Sequence, residues 1–429
     1  MATTAATAAS TGTTATAVAR AATLPQAMSF RDVLRIEVMR RVWYAQIVSL
    51  FGDWLALFAV LAVVSFTMHG APRQIIGVQI AYMLPIVFVG PIAGVFVDRW
   101  PLKPTLVSSD LIRAVLALLL IPASSIWQVY CVLAALSCVS AFFGPAQQVT
   151  IRTHVPATGL IAANALMQIA FMGSRIVGPA TAGAIAATFG PGTCYALDVA
   201  SFVVSAALIG SVVIARRPSA RAAAGSSSNR IHAVWIDLVQ GFNFIFHHAR
   251  VLFVVLAMAA GLFTIGCFGP LIAIYVRDSL HASARLFGVV SGMVGVGLLV
   301  GTQLLRKVTA GVPEHVLVLS GLGGIGAGVF ILGAVPLTSA TLFATFTIGF
   351  AFAAIMVPAQ TLVQRETPHD MIGRVSSTNI SVAFLAQIIG LVLSGVLADL
   401  FGVRTVFFLC AGLALTMAAL GRAFLQSRT

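Results

Sequence analysis

The chain has 429 residues, of which 59% are hydrophobic and 9% are charged, whereas a soluble domain carries roughly 25% charged residues. This deficit excludes an ordinary water-soluble globular protein, because apolar surface would face water on every side, and it predicts a protein whose solvent is lipid. The formal net charge of +13 does not indicate nucleic-acid binding, since the basic residues are scattered and form no stripe.

The chain begins with a polar segment and continues as a series of apolar runs. The first 28 residues are rich in Ala and Thr and lack the basic start and apolar core of a signal peptide, so we predict a disordered cytoplasmic tail over 1–30. Twelve runs of about 20 residues follow, each long enough to cross a roughly 30 Å hydrocarbon core as a helix. They lie at 42–68, 74–97, 104–122, 128–148, 164–188, 193–214, 251–276, 286–305, 315–335, 340–362, 376–398 and 404–424.

These runs predict an all-α membrane protein in two halves. Most connections are very short, but the stretch 215–250 is long and rich in Ser, Arg and Ala. We predict an N-terminal six-helix bundle over 31–214, a cytoplasmic central linker over 215–250 and a C-terminal six-helix bundle over 251–425. The runs are continuously apolar and not alternating, which excludes a transmembrane β-barrel.

Basic residues predict the orientation. With both termini in the cytoplasm, 19 of the 25 Lys and Arg residues lie on the cytoplasmic side, 4 on the opposite side and 2 within spans. Cytoplasmic loops carry the excess of Lys and Arg in membrane proteins. We therefore expect a multi-pass protein of a bacterial inner membrane with both termini cytoplasmic.

The two halves repeat one another in sequence. The Pro-Ala-Gln that follows Gly144 near the end of the fourth span recurs after Val357 in the tenth. Gly178, Gly183 and Gly190 match Gly390, Gly395 and Gly402 at an offset of 212, and Gly94 and Arg99 match Gly301 and Arg306 at an offset of 207. Duplicated halves are how alternating-access transporters build a central site that opens to one side and then to the other.

Three segments carry a family resemblance. The segment Gly94–Lys103, with Asp-Arg five residues before its basic end, resembles the signature that joins spans two and three in the major facilitator superfamily. The segments Arg41–Trp54 and Phe143–Gln147 resemble its macrolide-efflux and enterobactin-exporter branch. The resemblance covers about residues 30–425 and implies twelve helices in two pseudo-symmetric bundles, secondary active transport and a monomer.

The resemblance also implies roles for particular residues. It makes Gly94, Asp98, Arg99 and Lys103 a gating element that latches the halves in the outward-facing state. The run Gly178, Pro179 to Gly183 resembles the antiporter signature of the fifth span. The match has departures, because Pro101 and Leu102 replace the usual residues after Asp-Arg, the fourth span lacks the expected Arg, and Ala182 stands where Gly is usual.

Charged residues inside the spans are candidates for coupling and binding, since ionisable groups at that depth are costly. Asp53 lies roughly 16 Å into the first span at 1.5 Å per residue, and a carboxyl there favours protonation, so we predict that it couples transport to protons. The alternative is a fixed structural partner of an Arg. Arg175, at similar depth in the fifth span, is the candidate partner or a site for an anionic group of the substrate.

Other polar and aromatic residues are weaker candidates. Asp110 and Arg113 are three residues apart on the third span and so share a helix face, which predicts an intramembrane pair. Asp198 is expected at the interface, near the outer end of the sixth span. The cavity between the halves is lined mainly by spans one, four, seven and ten if the family architecture holds. Its candidate lining residues, each also explained by ordinary packing, are Gln168, Phe263, Phe268, Phe346, Phe350 and Gln387.

The leading hypothesis is a proton-coupled exporter of a bulky, partly apolar drug or siderophore, and the alternative is a transporter of lysophospholipid or another lipid. An enzyme is not predicted, because the 12 acids are scattered and the 8 histidines form no cluster. An ATP-driven pump is not predicted either, since the phosphate-binding Gly-x-x-x-x-Gly-Lys-Ser/Thr loop is absent from the sequence. We expect no cofactor and no metal, since the five cysteines lack metal-ligand spacing. The expected partners are a small-molecule substrate, protons and the lipid bilayer.

Overall fold

A computed structural model describes residues 28–97, 100–214, 239–308, 312–368 and 371–426. Within these ranges twelve long helices, numbered here as the first to twelfth spans, make up the body of the protein. A short helix, Phe30–Arg35, precedes them. The spans are Glu37–Ala62, Pro72–Val97, Leu102–Leu118, Ile126–His154, Leu160–Phe189, Pro191–Gly210, Ala249–Asp278, Ala284–Val308, Glu314–Ala334, Thr338–Glu366, Ile372–Phe401 and Val403–Gln426.

Eleven of these helices are long and apolar enough to cross a membrane. The third span, Leu102–Leu118, has 17 residues and is shorter than predicted, because the chain turns at Leu119 ahead of Pro122. Its rise of about 25 Å at 1.5 Å per residue still approaches the thickness of the hydrocarbon core. It packs between the fourth and sixth spans. The prediction of an all-α membrane protein with twelve spans in two bundles is confirmed.

The two halves share one register. Each span of the second half begins 212 residues after its counterpart in the first half, as Glu37 and Ala249 illustrate. The sequence match of Gly94 with Gly301 at an offset of 207 does not follow this register, in which the counterpart of Gly94 is Arg306. That match was therefore wrong by five residues.

The connections between spans repeat the same register in their backbone conformation. The two glycines with positive φ in the described residues are Gly190 at 84° and Gly402 at 83°, and each joins two consecutive spans. The two other residues with positive φ are His69 at 50° and His281 at 49°, which lie between the first and second and the seventh and eighth spans. Each pair is 212 residues apart, so even strained turns are duplicated.

Helix packing repeats as well. The first span packs against the fifth and sixth, the second against the fourth, and the third against the fourth and sixth. The second half contains the same arrangement, with the seventh span against the eleventh and twelfth, the eighth against the tenth, and the ninth against the tenth and twelfth. Between the halves, the fifth span packs on the eighth and the second on the eleventh. The pseudo-symmetry that relates the two halves converts one of these two interfaces into the other.

The halves are joined at one end of the bundle, which we call the sealed end. Arg73 on the second span forms an ion pair with Asp399 on the eleventh. Arg277, at the end of the seventh span, donates to the backbone carbonyl of Ser65 at 2.5 Å and to that of Gly70 at 3.2 Å. The identified ion pair and hydrogen bonds between the halves therefore cluster where these spans begin or end.

The predicted tail and linker are only partly described. The tail over 1–30 falls mainly on residues 1–27, which lie outside the described residues. In the predicted linker, 215–238 also lie outside them, whereas 239–247 form a helix and the seventh span begins at Ala249. The described part of the linker is thus helical.

Candidate functional site

Four charged side chains meet inside the first half and form what we call the buried charge cluster: Asp53, Asp110, Arg113 and Asp198. They come from the first, third and sixth spans, and the sixth packs on both of the others. Asp110, Arg113 and Asp198 are almost fully buried, and Asp198 has 1% of its surface exposed. The side chain of Asp53 is 22% exposed, so Asp53 is the least buried member of the cluster.

Arg113 is the centre of the cluster. Its guanidinium donates to Asp110, three residues away on the same helix face, and lies 3.8 Å from the Asp53 carboxylate. The rings of Phe143 and Phe202 flank it at 4.6 and 4.4 Å from the guanidinium carbon. Cation–π contacts gain strength when they are desolvated, so this aromatic sandwich stabilises the charge inside the membrane.

Asp110 is well compensated. Besides the Arg113 guanidinium, the Ser205 hydroxyl donates to its second carboxylate oxygen at 2.6 Å. Each of its two carboxylate oxygens therefore has a hydrogen-bond donor. Asp110 and Arg113 therefore form a fixed pair, to which Asp53 is attached at a longer distance. The identified ion partner of Asp53 is Arg113 and not Arg175.

Asp198 is a member that sequence reasoning missed. It was expected at the membrane interface but is buried, because the first span has Gly52 opposite it. A Cβ added to Gly52 would lie 2.6 Å from the Asp198 carboxylate oxygen, so only glycine leaves room for the side chain. Electrostatic interaction links Asp198 to both Asp53 and Arg113. In the sequence, the signal that could have predicted this burial was a glycine in the first span, Gly52, together with an acid in the sixth.

Arg175 lies apart from this cluster. It is half-buried, and its guanidinium carbon is 6.0 Å from the centre of the Trp54 ring. Within the described part of the chain, no carboxylate is found within ion-pair distance of it. Trp54 in turn packs near Phe58, which stacks on Phe287 of the eighth span at 5.6 Å between ring centres. Arg175 therefore lies at one end of a row of aromatic side chains that continues from the first half to the buried Phe287 of the second.

Part of the contact between the halves is formed by the antiporter-like residues. A Cβ on Gly183 would lie 2.7 Å from the Cα of Gly288 in the eighth span, and one on Gly288 would lie 2.7 Å from the carbonyl oxygen of Pro179. Gly178 packs on the Cβ of Trp54. Small residues let helices approach closely in membranes, so this motif sets the distance between the fifth span and its neighbours.

The predicted gating residues are only partly described. Asp98 and Arg99 lie outside the described residues. Gly94 has open space beside it, and Lys103 is half-buried near the start of the third span. Their gating role stays a prediction. The contacts at the sealed end, Arg73 with Asp399 and Arg277 with two carbonyls, were not predicted, because the sequence does not say which loops meet.

The candidate cavity-lining residues differ in their surroundings. Phe268 is buried against Phe407 inside the second half, so it packs within that half and not along a cavity. Phe346 and Phe350 stack on each other at 6.4 Å and are half-buried, as are Phe263 and Gln387, whereas Gln168 is exposed.

A metal site is not evident in the described residues, where no group of three or more His, Cys, Asp or Glu side chains could hold an ion. The polar groups of the site are instead carboxyls, a guanidinium and hydroxyls. Of these, the carboxyls can bind and release protons, and the guanidinium attracts anionic groups. Chemistry of that kind suits movement of a solute across the membrane.

Known proteins resemble the chain over most of its length. An MFS-type transporter of Bacillus subtilis, YfiS, is 28% identical over 85% of this chain and 88% of its own. Macrolide efflux protein A of Streptococcus pyogenes is 26% identical over 88% of this chain and 93% of its own. The multidrug efflux pump Tap of Mycolicibacterium fortuitum is 27% identical over 80% and 84%.

The fold also matches a solved structure. A bacterial homologue of the human lysosomal transporter Spinster superposes with a TM-score of 0.70 at 13% identity, covering 91% of this chain and 98% of the other. The sequence model of the Major Facilitator Superfamily matches residues 42–390. With its twelve spans, repeated halves and this match, the chain belongs to the Major Facilitator Superfamily of transporters.

Proposed function

We propose that the protein is a proton-coupled exporter that moves a bulky, partly apolar small molecule by alternating access. The observation that carries this proposal is the partly exposed Asp53, held deep in a span beside Arg113 at 3.8 Å. An ionisable group at that depth is expensive unless it has a function. Export is supported by the names of two relatives, a macrolide efflux protein and a multidrug efflux pump.

Orientation follows from the distribution of basic residues. With the termini in the cytoplasm of a bacterial cell, the sealed end is the extracytoplasmic end. The contacts between the fifth and eighth spans run from Gly295 against Ile176 to Gly183 against Gly288, that is, from mid-span to the sealed end. This conformation is therefore inward-facing. The proposal places the protein in the inner membrane, where it acts as a monomer.

Coupling of transport to protons follows from the attraction between Asp53 and Arg113. When Asp53 is ionised, it attracts the Arg113 guanidinium, which Asp110 and two aromatic rings hold in place. When Asp53 takes up a proton, this attraction is lost, and the first span is released from the third. A proton and a substrate that favour opposite conformations give exchange, because each can shift the equilibrium only by its difference in affinity.

The substrate class follows from the surface around Arg175. Trp54 and Phe58, both half-buried, provide aromatic area for a large apolar body, and Arg175 provides a positive charge with no carboxylate within ion-pair distance among the described residues. A drug is favoured over a siderophore because of the relatives' names. A lysophospholipid, with an anionic headgroup and an apolar chain, fits the same surface and is the alternative.

The test is accumulation of a labelled macrolide in drug-sensitive bacterial cells that express the full chain. We expect lower accumulation than in cells without it, and recovery of full accumulation with Asp53→Asn, whose side chain keeps its shape but cannot exchange a proton. Glu37→Gln, at an exposed acid at the start of the same span, is the control. Equal accumulation with and without the protein would remove the macrolide hypothesis. Transfer of labelled lysophospholipid into vesicles containing the purified chain would then favour the lipid alternative.

A further inference from the structure

The first half carries charges that its symmetry mate lacks. The ninth span packs on the twelfth as the third packs on the sixth, and Leu322 and Ile325 of the ninth span are fully buried. The same helix packing is therefore reached without charge. This type of helix packing does not in itself require the buried charge cluster, whose positions in the second half hold, in order, Ile265, Leu322, Ile325 and Cys410.

The charge balance of the cluster requires protons. Asp53, Asp110 and Asp198 face one guanidinium, that of Arg113, so the fully ionised cluster would have a net charge of about −2 in a low-dielectric interior. An uncompensated charge there is removed by neutralisation of the group. At least one of the three carboxyls is therefore protonated at rest.

The three carboxyls differ in how well neighbouring groups compensate their negative charge. Asp110 accepts from Arg113 and from Ser205, and Asp53 has Arg113 at 3.8 Å. Among the described residues, the donor identified for the Asp198 carboxylate is the Ser201 hydroxyl at 3.4 Å, and that hydroxyl donates at 2.7 Å to the backbone carbonyl of Asp198. Asp198 is thus the least compensated carboxyl of the cluster, and it is sealed from solvent.

We propose that Asp198 is a second proton-carrying group of the transporter, loaded through Asp53. This inference rests on the proposed proton-coupled function. A proton from the aqueous side bonds to an Asp53 carboxylate oxygen. The O–H bond at Asp53 then breaks as an O–H bond forms at Asp198, which leaves Asp53 ionised beside Arg113. Gly52 favours this transfer, because it lets the Asp198 carboxylate lie against the first span one residue before Asp53.

The groups around Asp198 are few. The first span presents Asp53, the third presents Asp110 and Arg113, and Tyr82 of the second span lies within electrostatic reach of the same charges. Arg175 of the fifth span lies over Trp54. A proton at Asp198 therefore responds chiefly to the ionisation of Asp53 and to the position of Arg113.

Infrared difference spectra of the purified full chain in lipid nanodiscs, recorded between alkaline and acidic pH, test this inference without any substrate. The protonated-carboxyl C=O band should lose one component in Asp198→Asn and in Asp198→Cys, the residue at the matched position of the second half. Asp110→Asn and the exposed Asp32→Asn should keep that component. After a pH jump, Asp53→Asn should delay the appearance of the Asp198 component without removing that component.

Thermal melting shows whether each variant is folded. Ser201→Ala, which leaves all four charges in place, provides a second readout, since removal of the nearest hydroxyl should shift the frequency of the Asp198 component. An undiminished band in folded Asp198→Asn, or an unshifted one in Ser201→Ala, would overturn the inference. Neither result would touch the proposed export, which the accumulation assay judges separately.

Discussion

Replacement of Gly183 by alanine should weaken the sealed end while leaving each half folded. A Cβ at this position would lie 2.7 Å from the Cα and 3.1 Å from the amide nitrogen of Gly288, so the backbone of the eighth span must move away. Overpacking of this kind costs about 1–3 kcal/mol. The gain in helix propensity over glycine, about 1 kcal/mol, is present in both conformations and cancels from the equilibrium between them.

This cost predicts a shift of roughly 5- to 150-fold toward the conformation in which the fifth and eighth spans are apart. Spin labels at Ser124 and Leu337, exposed loop positions in the first and second halves, report the separation of the halves by pulsed electron paramagnetic resonance. The five native cysteines are replaced first. Gly183→Ala should increase the population of long distances.

Gly173→Ala is the matched control, because it lies on the same span and a Cβ there would meet nothing within 4 Å. Its distance distribution should equal that of the parent protein. The reasoning is refuted if folded Gly183→Ala shows the parent distribution, or if Gly173→Ala shifts it equally.

Two further predictions concern Arg73 and Arg175. Arg73→Asp should lengthen the same spin-label distances slightly, by an effect below about 1 kcal/mol because Arg73 is largely exposed. The double change Arg73→Asp with Asp399→Arg should restore the parent distribution, and a double variant that resembles the single one would show that the ion pair does not matter. Arg175→Met should raise the midpoint of thermal unfolding and abolish macrolide export, since a charge at mid-span costs about 2.5–3.5 kcal/mol and the contact with Trp54 returns about 0.5–1 kcal/mol. A lowered midpoint would mean that Arg175 has a stabilising partner.

Much of the fold could be predicted from the sequence, because the lipid solvent imposes it. Each span must satisfy its backbone hydrogen bonds internally and be about as long as the bilayer is thick, so apolar runs predict helices directly. The repeat was visible in Gly178 and Gly390, since close helix approach restricts those positions to small residues. The third span was placed too far along the chain, because the run of leucines past Leu118 is apolar although the chain turns there.

The candidate site was harder to predict. Asp53 and Arg175 lie at similar depths, and this depth was the only basis for naming Arg175 as a candidate partner of Asp53. The rotation of each helix about its axis decides which faces meet, and it directs Asp53 toward the third span and Arg175 toward Trp54. Asp198 was misjudged because sequence depth measures distance along the membrane normal but not burial behind Gly52. The pairing within Asp110 and Arg113 needed only the helix period, and the structure shows these two in contact.

The exchange of interfaces between the halves has a consequence for how such a chain is assembled. The second span meets the eleventh as the eighth meets the fifth, so each half offers the same patch to the other. That is the isologous geometry of a twofold homodimer, here carried by one polypeptide. Two halves of one polypeptide can differ in sequence, whereas the two identical subunits of a homodimer cannot. One half alone carries the charges of Asp53, Asp110, Arg113 and Asp198, and a homodimer could not have acquired this difference.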